Sequence, residues 1–490
     1  MRSLEVAVGS EIADDEGFAP PTAFTMHATK IETPREELGL NAELIRKYNR
    51  PAPRYTSYPT ALKFRTVDDA VSGEALLADL EDARGPLSLY FHLPYCRSLC
   101  WFCGCAKIIT TQTGMADRYL DALEKEIALY RPLIRSGRKA VQLHFGGGTP
   151  NFLSVEQIDR LSSIIHGSFS FEAGAEMGVE LDPRTLSKEQ VAAFRRMGIN
   201  RASIGVQDVN PQVQEAVHRI QPSDMNRRAI QWLRDAGVDS LNVDLIYGLP
   251  YQTEASFRET LAEVLTYDPD RLAVFSYAHV PWSKPAQKIL ERNPLPDADS
   301  KIEILIQVVE TLRNRGYAHI GMDHFAKESD PLAKAQASRS LQRNFQGYSL
   351  HANVDICALG MSSISQSADS FRQNHKNLDT YYAMLDEGLL PLEKGYLLSR
   401  DDRIRREVIM RLMCDLELDF EERGAASGID FEHYFRDELL AMRELARDGL
   451  VLLRRGGLEV TPLGRLLIRN VAILFDAYAS SEMKRFSKSI

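Results

Sequence analysis

The chain has 490 residues, of which 44% are hydrophobic and 26% are charged, and its net charge is −9. This is the composition of an ordinary globular protein, and because cores usually stop growing near roughly 250–300 residues, the length predicts more than one domain. The acidic balance argues against broad electrostatic binding to nucleic acid, which needs a basic face, although it leaves room for a local basic pocket.

Residues 1–38 have no convincing apolar period, and we interpret them as a flexible extension. They lack the basic start and apolar core of a signal peptide, and nowhere does the chain offer about 18 consecutive apolar residues. We therefore expect a cytoplasmic protein that partners neither a membrane nor nucleic acid. Residues 39–85 begin with a short helix that ends at Pro51, and we expect this segment to pack on the domain that follows.

Between residues 86 and 300, short apolar runs alternate with amphipathic stretches typical of helices. The runs are PLSLYFHLP (86–94), AVQLHFGGG (140–148), EMGVELDP (176–183), RASIGVQD (201–208), SLNVDLIYGLP (240–250) and RLAVFSYAHVP (271–281). Six strand–helix units predict a parallel sheet covered by helices, because a parallel crossover needs an intervening element. The periodicity alone does not distinguish an open sheet from a barrel.

Chemically distinctive residues end each predicted strand. Because ligands bind at the C-terminal ends of strands in parallel α/β folds, we expect these residues to share one site. The polar residues on otherwise apolar strands are Glu180, Asp182, Gln207 and Asp244. Such groups suit ribose hydroxyls or an amine. The segment GGGTP (146–150) lacks the features of a P-loop or a Rossmann motif, and its glycines would let backbone groups approach a ligand closely.

After residue 300 the pattern becomes mainly helical. We expect residues 301–370 to extend the strand–helix domain and residues 371–490 to form a mainly helical C-terminal domain. Within the latter, LVLLRRGGLEVTPLGRLLIRN (450–470) resembles the hairpin and helix of a winged-helix module, which either packs against the domain before it or covers the site as a lid. Cys357 and Cys414 stand alone in apolar segments and are predicted to be buried thiols.

Four of the six cysteines fall within ten residues: Cys96, Cys100, Cys103 and Cys105. A structural zinc site usually needs two separated ligand pairs, a disulfide is disfavoured in a reducing compartment, and a thioredoxin-type pair needs only two cysteines. The remaining interpretation is an iron–sulfur cluster held by thiolates. The spacing C-x3-C-x2-C supplies three thiolates for a four-iron cube and leaves one iron open for an external ligand.

This spacing after a first strand, with the aromatic Phe102 just before the third cysteine, resembles the radical S-adenosylmethionine superfamily. The resemblance implies a partial (β/α)6 TIM-like barrel of the radical SAM type, on which residues 39–85 would pack. It also implies S-adenosyl-L-methionine and a [4Fe–4S] cluster bound by Cys96, Cys100 and Cys103. Cys105 would close the iron that the chemistry needs open, so we expect it to be structural or to face the substrate.

From about residue 39 onward, long stretches resemble the oxygen-independent coproporphyrinogen III oxidase (coproporphyrinogen dehydrogenase) family. They include PRYTSYPTA, CWFCGCAKI, HFGGGTPNFL, NVDLIYGLP, FSYAHVP, GMDHFA, RNFQGY and GRLLIRN. The resemblance implies two bound S-adenosylmethionine molecules. The residues expected around the cluster-bound molecule are Tyr90, Gly147, Glu180 and Ile364. Those expected around the second are Phe102, Gly148, Thr149, Gln207, Arg219, Asp244 and Ala278.

The reaction of that family is the oxidative decarboxylation of two propionates of coproporphyrinogen III to vinyl groups, giving protoporphyrinogen IX in haem and porphyrin biosynthesis. The resemblance implies that a 5′-deoxyadenosyl radical removes a hydrogen atom from the substrate, which then loses CO2 and one electron. It also implies an electron donor of the flavodoxin or ferredoxin type, an electron acceptor, and a monomeric enzyme.

A substrate with four carboxylates needs cations or donors around it, even in an acidic chain. The candidates are Arg54, Arg343 and the pair Asp323–His324. Two other functions stay open: a haem-binding chaperone of the same superfamily, and another radical SAM tetrapyrrole enzyme such as a methyltransferase or a haem-opening enzyme. Cys105, PRYTSYPTA and Arg219 favour the oxidase over the chaperone, and the third function has no supporting feature beyond the shared barrel.

Overall fold

The computed structural model describes residues 42–68, 71–479 and 486, and the extension expected at residues 1–38 lies outside these ranges. The strands, in chain order, are β1 (Arg65–Thr66), β2 (Leu87–Leu93), β3 (Tyr95–Cys96), β4 (Ile108–Ile109), β5 (Ala140–Gly147), β6 (Phe171–Leu181), β7 (Arg201–Gln207), β8 (Ser240–Tyr247), β9 (Arg271–Ser276), β10 (Tyr317–Gly321), β11 (His324–Lys327), β12 (Gln342–Asn344), β13 (Gly347–Ser349), β14 (Asp355–Leu359), β15 (Ile364–Gln366), β16 (Ser370–Asn374), β17 (Leu392–Leu397), β18 (Glu417–Asp419), β19 (Val451–Arg454) and β20 (Gly457–Val460).

The α-helices span Ala42–Tyr48, Gly73–Leu77, Met115–Tyr130, Val155–Ser168, Lys188–Met197, Pro211–Ala216, Ser223–Asp235, Glu254–Leu265, Ala298–Asn314, Pro331–Ala337, Leu378–Asp386, Arg400–Asp415, Phe420–Ser427, Phe431–Tyr434, Arg436–Arg447, Pro462–Leu466 and Ile468–Ala472. Short 3-10 helices cover Ala61–Lys63, Arg131–Leu133, Pro150–Phe152, Pro285–Arg292 and Ile473–Phe475. No helix in the described part of the chain is both long and apolar enough to cross a membrane.

Thirteen strands form one large sheet in the order β1-β17-β16-β15-β14-β2-β5-β6-β7-β8-β9-β11-β10. The strands from β14 to β9 run parallel, and antiparallel strands extend the sheet at both ends. Strands β2 and β5–β9 are the six runs predicted from the sequence, which confirms the α/β architecture of strand–helix units. The seventh parallel strand, β14, was not predicted; it carries Cys357, which is buried as expected.

The parallel strands have one apolar and one polar face, because side chains alternate along a strand. In β8, Leu241, Val243 and Leu245 are at most 1% exposed and pack in the main hydrophobic core. Between them, Asn242 and Asp244 line a central cavity. The sheet therefore packs its apolar face under the helices and presents polar groups to the cavity, which is why charged residues interrupt otherwise apolar strands.

Side-chain caps determine where two of the covering helices begin. Ser154 and Ser187 each accept a hydrogen bond from the backbone N–H three residues further on. The glutamines at those positions, Gln157 and Gln190, bond back to the backbone of the cap residue. Such capping boxes satisfy N–H groups that the first turn of a helix leaves unpaired. They set the positions at which the loops from the cavity enter the outer helices.

The N-terminal segment contacts both the large sheet and the C-terminal region. β1 pairs with β17 in the sheet. Tyr48, Tyr55 and Tyr58 are at most 1% exposed and belong to a second hydrophobic core formed mainly by C-terminal residues. The Tyr55 hydroxyl donates to Asp476 over 3.0 Å. This segment therefore ties the end of the chain to the strand–helix domain.

The C-terminal region combines helices with a small antiparallel sheet in the order β18-β20-β19. The hairpin β19–β20 is followed by the helix Pro462–Leu466, as the sequence pattern predicted. Cys414 is fully buried in this region. The boundary expected near residue 371 falls within β16, which belongs to the large sheet. The division into domains and the lid function of the hairpin module stay predictions.

Candidate active site

The inner faces of the parallel strands enclose a cavity of about 380 Å³. The predicted site residues that line it are Cys96, Cys100, Phe102, Cys103, Gly148, Thr149, Glu180, Gln207, Arg219 and Asp244. Cys105 and Asp182 line it as well. The other predicted residues, Tyr90, Gly147, Ala278 and Ile364, do not line this cavity. The fold thus brings predicted residues from four strands or the loops after them, β5 to β8, and from the cysteine loop to one place.

The cysteine loop is closed by a short pair of parallel strands, β3 and β4. Within it, the Cys103 N–H donates to the Cys100 carbonyl over 3.1 Å, and Lys107 Nζ donates to the Cys103 carbonyl over 3.1 Å. Thr149 Oγ1, from the loop after β5, donates to Cys96 Sγ over 3.2 Å. These bonds hold the first three cysteines of the loop around the end of the cavity. We call this the cysteine end.

The thiols differ in their tendency to ionise. Burial raises the pKa of Cys96 to about 11. Cys103 accepts a hydrogen bond from the thiol of Cys105 and lies near Lys107, and these contacts lower its pKa below the ordinary value. The same contact raises the pKa of Cys105 well above its usual range. Cys105 therefore acts as a donor to its neighbour, and its expected role outside the ligand set stays a prediction.

Cys100 Sγ faces two arginines that share one carboxylate. Arg184 Nη2 and Arg219 Nη1 lie 3.4 and 3.5 Å from the sulfur. Both guanidinium groups also bind Asp182, at 2.7 and 3.2 Å from Oδ2. Burial raises the pKa of Asp182, but the two arginines outweigh it and lower that pKa to about 2. Asp182 is therefore ionised, and the trio carries a net charge of +1 beside the sulfur.

Glu180 is held by the neighbouring strands β5 and β2. His144 Nε2 donates to its Oε1 over 3.2 Å, and the His144 ring stacks on Tyr90 at a centroid distance of 6.1 Å. Burial opposes ionisation of Glu180, yet the bond from His144 and the Gly147 N–H keep its pKa below the ordinary value. Its side chain is 48% exposed because it faces the cavity. An ionised carboxylate here suits the amine of a ligand. Tyr90 thus acts behind His144 and does not line the cavity itself.

The glycines before Thr149 are required by close packing. A Cβ added to Gly147 would lie 2.4 Å from the His92 ring, and one added to Gly148 would lie 2.5 Å from the Pro94 backbone. Gly147 also has φ +104°, which few other residues adopt. The loop after β5 therefore presents backbone groups directly to the cavity, as a closely bound cofactor would need.

A second set of polar groups lies on β7 and β8. Asp244 accepts from Ser203 Oγ over 2.8 Å and from Asn242 Nδ2 over 2.7 Å. Burial raises its pKa to about 6. Arg219 Nη2 donates to the Gly205 carbonyl over 2.7 Å. Gln207 ends β7 in a left-handed conformation with φ +69°. These groups offer acceptors and donors for ribose hydroxyls and a base.

Two of the predicted residues are linked by a side chain that sequence patterns missed. Gln287 Nε2 donates to the Phe102 carbonyl over 2.9 Å and to the Ala278 carbonyl over 3.2 Å. It joins the cysteine loop to the loop after β9, although Ala278 itself does not line the cavity. Ile364, on β15, instead packs beside Phe64 and Phe371. The cofactor role expected for Ile364 stays a prediction.

Other cavity residues were also missed. Arg184 directly follows the noted segment ELDP, so its place beside the strand end was available as a signal. His144 lies within the run AVQLHFGGG, but nothing in a single sequence distinguishes it from a core histidine. Its pairing with Glu180 depends on the alignment of β5 beside β6, which only the folded sheet provides.

The predicted substrate residues meet in another part of the cavity, which we call the arginine end. His324, Phe275 and Tyr348 line the cavity there. The Arg54 guanidinium lies 5.6 Å from the centre of the Phe275 ring, and that of Arg343 lies 4.6 Å from the Tyr348 ring. Both guanidinium groups thus lie at cation–π distances from rings that line the cavity.

The charges at the arginine end are not fully paired. Arg54 forms an ion pair with Asp323, and Arg343 Nη2 donates to the Arg54 carbonyl over 3.2 Å. Arg343 is 6% exposed, and its Nε and Nη1 have no hydrogen-bond partner among the described residues. Burial and the nearby Arg469 and Arg343 lower the pKa of Arg54 to about 9. Arg54 and Arg343 therefore form a cationic group served by one described carboxylate, Asp323.

The residues at the cysteine end fit a [4Fe–4S] cluster and its cofactor. Three thiols, a hydroxyl donor to one of them, two guanidinium donors to another, and a glycine-lined wall meet there. Within the described ranges, no group of three His, Cys, Asp or Glu side chains converges tightly enough for a single metal ion. Cysteines that each bind a different iron of one cluster do not need to converge in that way.

The chain matches the radical SAM superfamily over residues 90–264 and the HemN C-terminal domain over residues 398–467. Three curated relatives are named oxygen-independent coproporphyrinogen III oxidase. The protein of Synechocystis sp. is 46% identical over 92% of this chain and 98% of its own. The Salmonella typhimurium protein is 45% identical, and that of Escherichia coli K12 is 44% identical, each over 93% of this chain and 99% of its own.

A solved structure gives the same relationship at the level of the fold. The coproporphyrinogen III oxidase HemN from Escherichia coli, described as a radical SAM enzyme, superposes with a TM-score of 0.84 at 43% identity. The superposition covers 89% of this chain and 99% of that one. It confirms the partial barrel of the radical SAM type and the helical C-terminal region. The chain therefore belongs to the oxygen-independent coproporphyrinogen III oxidase family of radical SAM enzymes.

Proposed function

We propose that this protein catalyses the oxygen-independent oxidative decarboxylation of two propionates of coproporphyrinogen III to vinyl groups, giving protoporphyrinogen IX in haem biosynthesis. The observation that carries the proposal is the identity of 44–46% with enzymes of that name over at least 92% of this chain. This range includes both the cysteine loop and the C-terminal module. It favours the oxidase over a haem-binding chaperone, because at least 92% of the chain follows the oxidase pattern.

The chemistry of a radical SAM enzyme suits this substrate because the C–H bond of a propionate is strong. When bound, the cluster and S-adenosylmethionine supply a radical that can take a hydrogen atom from such a carbon. The protein's own contribution is to position these groups and to keep water away. We assign the cluster to Cys96, Cys100 and Cys103, and the amine of the first S-adenosylmethionine to the ionised Glu180.

We infer that a second S-adenosylmethionine binds along β7 and β8. Support comes from the acceptor Asp244, the donor Arg219 and the strained Gln207, all of which line the cavity. The four carboxylates of the substrate would lie toward Arg54 and Arg343, whose charges have one described carboxylate partner. We further propose that a flavodoxin-type or ferredoxin-type donor reduces the enzyme, that a separate acceptor takes the final electron, and that the enzyme is a cytoplasmic monomer.

The test is an anaerobic turnover of reconstituted protein with S-adenosylmethionine, a reductant and coproporphyrinogen III, followed by mass spectrometry. We expect the stepwise loss of two carboxyl groups, with 5′-deoxyadenosine formed in proportion. A Cys96→Ala variant prepared in parallel should give neither product. Formation of 5′-deoxyadenosine without decarboxylation would refute the assigned substrate, and stoichiometric haem binding would then favour the chaperone.

A binding measurement tests the second cofactor site. Equilibrium dialysis with labelled S-adenosylmethionine should give two molecules per reconstituted protein, and Asp244→Asn should reduce this to one. A stoichiometry of one in the unaltered protein would refute the second site while leaving the assigned reaction intact.

A further inference from the structure

Arg184 has no assigned role in the reaction, yet it is one of the best-fixed side chains of the cysteine end. Its backbone N–H donates to Asp182 Oδ1 over 3.0 Å, and its Nε donates to the same oxygen over 3.0 Å. Nη2 binds the other carboxylate oxygen at 2.7 Å. A bidentate pair of this kind fixes both the distance and the plane of the guanidinium. The second hydrogen bond of Nη2 goes to Cys100 Sγ.

The carboxylate that holds Arg184 is itself fixed from the protein interior. Asn151 is fully buried, donates through Nδ2 to the Asp182 carbonyl over 3.0 Å and accepts from the Asp182 N–H over 2.9 Å. The backbone at Asp182 therefore cannot shift without breaking two buried hydrogen bonds, which is costly. Arg184 is consequently placed by the end of β6 and is independent of any bound ligand.

Arg219, which lies in a different part of the sequence, approaches the same sulfur. It is 7% exposed, its Nη2 is held by the Gly205 carbonyl at 2.7 Å, and its Nη1 reaches Asp182 and Cys100. Cys100 Sγ thus accepts from two guanidinium groups, of which that of Arg219 is buried and that of Arg184 is half-buried, whereas Cys96 Sγ accepts from a neutral hydroxyl. The two guanidinium donors therefore meet at Cys100, whereas Cys103 has the single ammonium of Lys107 nearby.

Hydrogen bonds and positive charge at a cluster sulfur stabilise the added electron, and they raise the reduction potential of the cluster. We propose that Arg184 is a positioning residue which, with Arg219, donates N–H groups to the thiolate of Cys100 and raises the reduction potential of the [4Fe–4S] cluster. The inference rests on the proposed function only for the presence of the cluster. Its consequence is that the cluster is reduced at a less negative potential than it would be without these donors.

The test is a redox titration of the reconstituted cluster, monitored by EPR, without S-adenosylmethionine or substrate. We expect Arg184→Gln to make the cluster about tenfold harder to reduce at a given potential, which for one electron equals a fall of about 59 mV. Arg184→Lys keeps the charge and should give a potential between those of Arg184→Gln and the unaltered protein. Arg196→Gln, on the outer helix, changes the same residue type at a surface ion pair and should leave the potential unchanged.

Iron and sulfide content separates loss of the cluster from a change in its potential. If Arg184→Gln does not retain the cluster, the test rests on the Arg184→Lys variant. Its cluster should be severalfold harder to reduce at a given potential than that of the unaltered protein. Equal reduction potentials in Arg184→Lys, Arg184→Gln and the unaltered protein would overturn the inference. An unchanged potential combined with weaker S-adenosylmethionine binding would also overturn it, because Arg184 would then be a cofactor ligand. Failure to decarboxylate coproporphyrinogen would contradict the proposed function and would not alter this titration.

Discussion

The two ends of the cavity differ in how completely their arginine side chains are paired. At the cysteine end, Arg184 and Arg219 share the ionised Asp182, and one buried nitrogen, Arg219 Nε, has no partner among the described residues. At the arginine end, Arg343 is buried, and two of its guanidinium nitrogens, Nε and Nη1, have no hydrogen-bond partner among the described residues. A buried unpaired guanidinium is unfavourable, so such a site is expected to receive an anion. We therefore expect the cysteine end to be built in advance and the arginine end to be completed by a bound anion.

The largest effect should come from removing a thiol at the cysteine end. Cys100→Ala removes the sulfur that accepts from both arginines, and we expect loss of the cluster and of all turnover. Iron analysis and the visible absorbance of reconstituted protein check this. Cys414→Ala, at a buried thiol in a separate hydrophobic cluster, should retain full iron content. A Cys100→Ala protein that keeps a normal cluster and activity would break the assignment of this end.

A methyl group at Gly148 tests whether the cysteine end is as rigid as its packing indicates. Its Cβ would lie 2.5 Å from Pro94 backbone atoms, so the loop must shift, at a cost of about 1–3 kcal/mol. We expect S-adenosylmethionine to bind roughly 10-fold to 100-fold more weakly in Gly148→Ala. The matched control is Gly104→Ala in the cysteine loop, where a Cβ meets nothing within 4 Å. Equal affinities in the two variants would show that this wall is adaptable.

At the arginine end, Arg343→Gln should weaken substrate binding without lowering the stability of the fold. Loss of one charged hydrogen-bonding group typically costs about 10-fold in affinity, so we expect KM for coproporphyrinogen III to rise about that much while S-adenosylmethionine affinity stays unchanged. Because the unpaired charge is removed, the thermal midpoint of the substrate-free protein should stay equal or rise. Arg436→Gln on an exposed helix serves as the control. A lower midpoint with unchanged KM would give Arg343 a structural role.

The smallest effect concerns the acidic limit of the second cofactor site. Asp244 has a pKa of about 6, raised by burial, whereas Asp182 has a pKa of about 2. Between pH 7.5 and 5.5 Asp244 gains a proton and Asp182 does not. Binding that needs the Asp244 carboxylate should weaken about fourfold over this range, following the ionised fraction. In Asp244→Asn, which should retain only one bound molecule, S-adenosylmethionine binding should not change with pH over this range. If S-adenosylmethionine binding by Asp244→Asn depended on pH, the titrating group would be another residue.

The amino-acid sequence by itself determined the strand–helix units and the cluster chemistry. Six apolar runs predicted β2 and β5–β9, because period-two and helical periodicity are local properties of the chain. The spacing of Cys96, Cys100 and Cys103 indicated a cluster, since ligands on one tight loop need no tertiary information. The buried states of Cys357 and Cys414 followed from their apolar neighbours in the same way.

Only the tertiary structure decided which distant groups meet. The parallel strand β14 beside β2 and the pairing of His144 with Glu180 depend on strand order and register. The shared contact of Arg184 and Arg219 with Cys100 joins residues far apart in the chain. These features arise because packing, not local preference, sets the positions of side chains across a sheet. For the same reason, the unpaired charge of Arg343 becomes visible only when the surrounding donors and acceptors have been placed in space.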